Sequence, residues 1–248
     1  MKRLIVNADD FGFTTDVNRG IVHAHTNGIL TATTLMANGR AFDDAVRLSR
    51  EHPTLDIGCH LVLVQGESVL PGAKPFPKDT KQLTLAVLLG RIRIYDELKA
   101  QVEKILAAGI PATHLDTHKH THILPPILEA VLRLAKDFRI PWIRRPLPAV
   151  DFGLQGKLKR YNARATDHFA GFRLTGKFGP AELAKALAQT KEGLTEFMCH
   201  PAFCTDELRA SQTRLKESRQ RELDALVSPE VRSTLILHGI ELTNYRQD

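Results

Sequence analysis

Short apolar runs rich in β-branched residues alternate with longer stretches of helical period along almost the whole chain, and parallel β/α units satisfy that alternation best. Residues 4–8 read as a first strand and 15–26 as a helix, with Gly28 as its stop. Residues 29–36 read as a strand, 41–52 as a helix ending before Pro53, and 55–64 as a third strand. A helix at 95–108, a strand at 113–117, a helix opened by Pro125 and Pro126 and running to 138, and a strand at 141–145 follow. Further on, 181–192 and 219–227 read as helices, and 195–200 and 234–238 as strands. Residues 65–92, with Gly and Pro early and a Leu-rich patch late, read as an active-site loop. About seven strands predict a single-domain α/β fold over 1–248, a (β/α) barrel-like fold that is incomplete or distorted. Its irregular, Gly-rich stretch at 146–180 reads as a lid or insertion. A doubly wound sheet fits less well, since no Gly-x-Gly-x-x-Gly turn follows the first strand.

Composition narrows the function classes. Three cysteines, Cys59, Cys199 and Cys204, give no disulfide framework and suit a reducing cytosol, so a cytoplasmic location is expected. No apolar stretch approaches the ~20 residues of a membrane span, and the opening run is too short for a secretory signal. The net charge of +6 raises nucleic acid as a partner. The densest basic segment, 209–221, mixes Arg209, Arg214, Lys216, Arg219 and Arg221 with Glu217, and Glu222 follows. Little aromatic character interleaves it, so it reads as a solvated helix and no nucleic-acid partner is expected.

Polar residues of several chemical types fall at the ends of separate predicted strands, where catalytic groups of parallel barrels gather. Asp9 and Asp10 follow the first strand, His60 lies on the third, and the run from Asp116 to His122 ends the fourth. Arg144 ends the fifth and His200 the sixth. His118, His120 and His122 would face one side of a strand, or His118 and His122 one face of a helix; either concentrates imidazoles for a divalent metal. Two histidines and a carboxylate with open positions make a hydrolytic metal site. Simpler readings stand beside this one: an acidic pair at a helix N-terminus for Asp9 and Asp10, and a hydrogen-bonded buried side chain for His60.

Four ordered blocks carry a resemblance: Asn7-Ala-Asp-Asp-Phe-Gly12, Gly58-Cys-His-Leu61, His114-Leu-Asp-Thr-His-Lys-His-Thr-His122 and Met198-Cys-His-Pro-Ala202. They resemble the signature blocks of the YdjC-like carbohydrate deacetylases, from residue 3 to the Leu242-Thr-Asn-Tyr-Arg246 tail. The resemblance extends to chitooligosaccharide deacetylases and to the branch associated with hopanoid biosynthesis. It implies a barrel-like fold of the glycoside hydrolase/deacetylase type and one divalent metal ion, Mg2+ or Zn2+. By motif position, Asp10, His60 and His118 would be the metal ligands, Asp9 the general base and His200 the general acid. Arg144, beside Arg145, would orient Asp9. His120, His122 and Asp116 would line the substrate pocket, with tethering of an imidazole a second role for Asp116.

The reaction implied is removal of the N-acetyl group from an N-acetylglucosamine-containing oligosaccharide or glycosylated hopanoid lipid, with release of acetate. Phosphoester hydrolysis, glycoside cleavage by Asp9 and Asp116, and carbohydrate binding without turnover are the alternatives. The expected partners are the amino-sugar substrate, free or lipid-linked, and an anionic membrane touched peripherally. Monomer and homodimer both stay open.

Overall fold

The structure is a computed structural model that describes residues 1–146 and 153–248. Contacts group the chain into two compact units. The first comprises Met1–Thr33, Arg40–Asp56 and Thr166–Asp248; the second comprises Thr34–Gly39 and Ile57–Ala165.

In the first unit, β1 (Lys2–Phe11) is buried nearly throughout, with Leu4, Ile5, Val6, Ala8 and Phe11 fully inaccessible. A strand covered on both faces reads as a continuous apolar run, the mark of a parallel sheet. It is followed by α1 (Thr15–Asn27), whose first turn is capped by Thr14 Oγ1 accepting the Val17 N–H at 3.2 Å. The strand β2 (Ala32–Leu35) is divided between the units, and α2 (Phe42–Glu51) buries Phe42, Ala45, Val46 and Leu48 on one side.

The second unit holds β3 (Asp56–Leu61) from Ile57 onward, α3 (Thr80–Leu88), α4 (Ile94–Ala107) and β4 (His114–Thr117). A 3-10 segment (His118–Ile123) leads into α5 (Pro125–Asp137), β5 (Trp142–Ile143) and α6 (Leu154–Tyr161). Here β3 pairs β4 in parallel, with His60 opposite Asp116, and β4 pairs β5 with His114 opposite Trp142. Gly58 is required where β3 meets β4: a Cβ there would lie 2.5 Å from the His114 carbonyl oxygen.

The chain then completes the first unit with β6 (His168–Ala170), α7 (Pro180–Ala188), β7 (Gly193–Cys199), α8 (Asp206–Ala210), α9 (Glu217–Leu226), α10 (Pro229–Leu237) and β8 (Ile240–Leu242). β1 pairs β7 in parallel from Lys2 opposite Gly193 to Ala8 opposite Cys199; β8 pairs its start at Lys2–Leu4, and β6 lies beyond β7.

Three sequence expectations are corrected. Residues 234–238, expected as a strand, complete α10 up to Leu237 with His238 as its C-cap, because Ser228 Oγ accepts the Glu230 N–H at 3.2 Å and Pro229 opens the helix; the strand follows as β8. The loop expected at 65–92 contains α3, capped by Asp79 Oδ1 on the Gln82 N–H at 2.8 Å. The stretch at 146–180 includes α6 and β6; residues 147–152 of it lie outside the described residues. Among the described residues no helix is long and apolar enough to cross a membrane.

Candidate active site

The expected site residues divide between the two units. In the first, parallel pairing of β1 with β7 sets Asp9 and His200 at adjacent strand ends, with Asp9 Oδ2 3.8 Å from His200 Nε2. Asn7 Nδ2 donates to Asp9 Oδ1 at 3.3 Å. Asp10 adopts φ 69°, the left-handed region that aspartate tolerates better than most residues. Its carbonyl accepts the Phe13 N–H at 3.0 Å, and Gly12 continues the turn at φ 89°. At this turn the two adjacent carboxylates reach different partners. Asp9 faces His200, while Asp10 Oδ2 accepts Nη2 of Arg219 at 2.5 Å.

Arg219 and Glu222 are the residues that sequence reasoning missed. Their segment reads as a solvated helix, yet Arg219 is 2% exposed and Glu222 fully buried. They stand one turn apart on α9. Glu222 Oε2 accepts the His200 N–H at 2.6 Å and Oε1 accepts the Gly176 N–H at 2.7 Å. The same Oε2 lies 3.9 Å from His200 Nδ1. Burial pushes the Glu222 carboxyl up to about 7, against the two backbone donors and Arg219, which pull it down; the nearby Asp9 carboxylate adds to the rise. The available sequence signal was spacing: Arg219, Glu222, Leu223 and Leu226 recur on one helix face.

In the second unit the pairing of His60 with Asp116 brings Nδ1 of the imidazole to 2.7 Å from Asp116 Oδ1. Asp116 Oδ2 accepts from Arg144 Nη1 at 2.7 Å and from Thr34 Oγ1 at 3.1 Å. A carboxylate in this setting only accepts, so the His60 proton sits on Nδ1 and Nε2 presents a lone pair. That Nε2 lies 3.2 Å from His118 Nδ1.

The three histidines of the run do not line one side as a strand would place them, nor do His118 and His122 sit together as on one helix face. Lys119 and His120 are left-handed at φ 54° and 53°, which turns the chain between them. His118 meets His60, whereas His122 Nδ1 sits 2.6 Å from Thr117 Oγ1 and the His122 N–H donates to the same oxygen. The His120 and His122 rings lie 6.0 Å apart, both buried.

The donor chemistry of the second unit fits a divalent cation. Two metal–nitrogen bonds of about 2.1 Å meeting near 100° separate their nitrogens by about 3.2 Å. The His60 and His118 spacing matches, and the carboxylate behind His60 is the customary support of a ligating imidazole.

The family model described as YdjC-like protein matches residues 3–236. A carbohydrate deacetylase of Brevibacillus brevis is 36% identical over 256 residues, covering 99% of each chain. A protein of Enterococcus faecalis V583, provisionally assigned to cellobiose-phosphate cleavage, has a crystal structure similar to this one with a TM-score of 0.82 at 28% identity, covering 99% of this chain and 98% of that one. A family 4 carbohydrate esterase of Streptomyces lividans, solved with acetate, reaches a TM-score of 0.50 at 12% identity, covering 98% of this chain and 92% of that one. This last likeness shows the fold alone, the barrel-like α/β type expected from the alternation.

Proposed function

This chain belongs to the YdjC-like protein family, and on that premise we propose that it is a metal-dependent carbohydrate N-deacetylase. Its substrate in this reading is an N-acetylglucosamine-containing oligosaccharide or sugar-lipid, and its products are acetate and the free amine. The observation that carries the reading is the Asp116–His60–His118 arrangement, a supported imidazole pair at ligand spacing. His60 and His118 would hold the ion with Asp10, the third ligand by motif position. When bound, the cation supplies polarisation of the amide carbonyl and acidification of a water.

The chain's own residues do the rest. Asp9, steadied by Asn7, accepts the proton of the attacking water. His200 delivers a proton to the departing amine, which leaves poorly as an anion. Glu222 fixes the His200 backbone and sets a carboxyl near its ring. Arg144 and Thr34 hold Asp116, and through it the His60 tautomer. By motif position alone, Arg144 is assigned to orient Asp9, and His120 and His122 to contact the sugar. The family relationship to a carbohydrate deacetylase supports the reaction class.

The test is acetate release from N-acetylated chitobiose and from an N-acetylglucosaminyl lipid, with protein stripped of metal and then restored. Metal-dependent acetate release is the expected result. The provisional assignment of the Enterococcus relative favours sugar phosphate as a second reading. Cleavage of a phosphorylated disaccharide, read as inorganic phosphate or as free sugar, without acetate from either acetylated substrate, would replace the first reading with the second.

A further inference from the structure

Helix α3 of the second unit turns leucines outward. It buries Leu83 but leaves Leu85 56%, Leu88 77% and Leu89, at its C-cap, 51% exposed. Spaced i, i+3 and i+4, the three share one face. Lys81 precedes Leu85 by four positions on the same stripe, Arg91 follows the helix, and Lys74 and Lys78 lead into it. All four cations are exposed, and among the described residues none of them makes an ion pair. The single acid between 74 and 91, Asp79, is occupied in capping the helix.

We propose that this face of α3 docks on an anionic lipid bilayer. Leucines on one stripe suit insertion at the acyl boundary, and long basic side chains around them reach back to lipid phosphates. Charge selects the occupant. A two-fold contact between copies of this chain would bring two cation-rimmed faces together with no free acid between them, which disfavours self-association through this face. The net charge of +6 adds a long-range attraction toward an anionic surface. The surface rests on the proposed deacetylase reading only for its purpose, that of bringing a sugar-lipid headgroup within reach. Its test involves no substrate, so the two can fail separately.

The experiment is co-sedimentation of the full chain with phosphatidylcholine vesicles, with and without phosphatidylglycerol, at low and high salt. Binding should require phosphatidylglycerol and weaken with salt. The double variants Leu88→Ser/Leu89→Ser and Lys78→Glu/Lys81→Glu should each weaken it about tenfold or more, with thermal unfolding midpoints unchanged because the altered side chains are exposed. Binding to neutral vesicles with equal affinity, no binding, or unchanged binding by Leu88→Ser/Leu89→Ser would overturn the proposal. So would a dimer that the leucine variant splits into monomers, which would assign the face to a second copy.

Discussion

Glu222 grips His200 from behind: its Oε2 accepts the His200 N–H at 2.6 Å while lying 3.9 Å from Nδ1 of the same residue. Burial holds this carboxyl near 7 rather than its ordinary 4.5. The native protein therefore binds more protons than the unfolded chain between those values. The contribution to stability is fully present below about 4.5 and falls as pH rises to about 7, by about 3 kcal/mol. Urea unfolding across that window should show the decline in the parent protein and a flatter profile in Glu222→Gln. Parallel profiles would remove Glu222 as the titrating group.

Asp116→Asn keeps an acceptor for His60 but loses the charge that fixes its tautomer and faces Arg144. Loss of such a support typically weakens metal binding about 10–100-fold. Chelator competition should show this, with a smaller loss in Thr34→Val, which removes one of the bonds to Asp116. Unchanged affinity in Asp116→Asn would sink the tethering role.

Asp9→Asn and His118→Ala should separate proton transfer from ligation. The first should retain stoichiometric metal while losing about 100-fold or more in kcat. The second should lose metal before turnover is considered, as read by metal content after dialysis. Full activity in metal-replete Asp9→Asn protein would contradict the base assignment.

A site with two imidazoles prefers a borderline cation to a hard one, since magnesium favours oxygen ligands. Zinc added to stripped protein should therefore restore acetate release at far lower free concentration than magnesium. The reverse order would mean that oxygen donors, not His60 and His118, dominate the binding.

Much of this architecture is legible in the sequence because the pattern and the packing agree. The apolar run ending in Asp9 and Asp10, the Thr14 cap and the paired prolines of α5 all say locally what the fold does globally. Residues 234–238 mislead because Thr-Leu-Ile-Leu-His suits a strand by composition, and only the upstream Ser228-Pro229 signals the helix. Arg219 and Glu222 mislead for another reason. Charged side chains on a helix are usually solvated, and their burial depends on partners about 209 and 22 positions away that no local window contains. The histidine run signals its chemistry by composition, but the left-handed turn at Lys119 and His120 that sorts its members is not written in their spacing.

The strand carrying Asp9 and Asp10 is synthesised well before its sheet neighbours on one side, which come from Gly193–Cys199 and Ile240–Leu242. At ordinary translation speed, about 10–40 s pass before β7 leaves the ribosome. Through that interval Leu4, Ile5 and Val6, which end fully buried, have no sheet neighbour on that side. Until then the nascent chain holds an apolar strand edge unpaired, so chaperone demand during synthesis should track the delivery of residues 193–242.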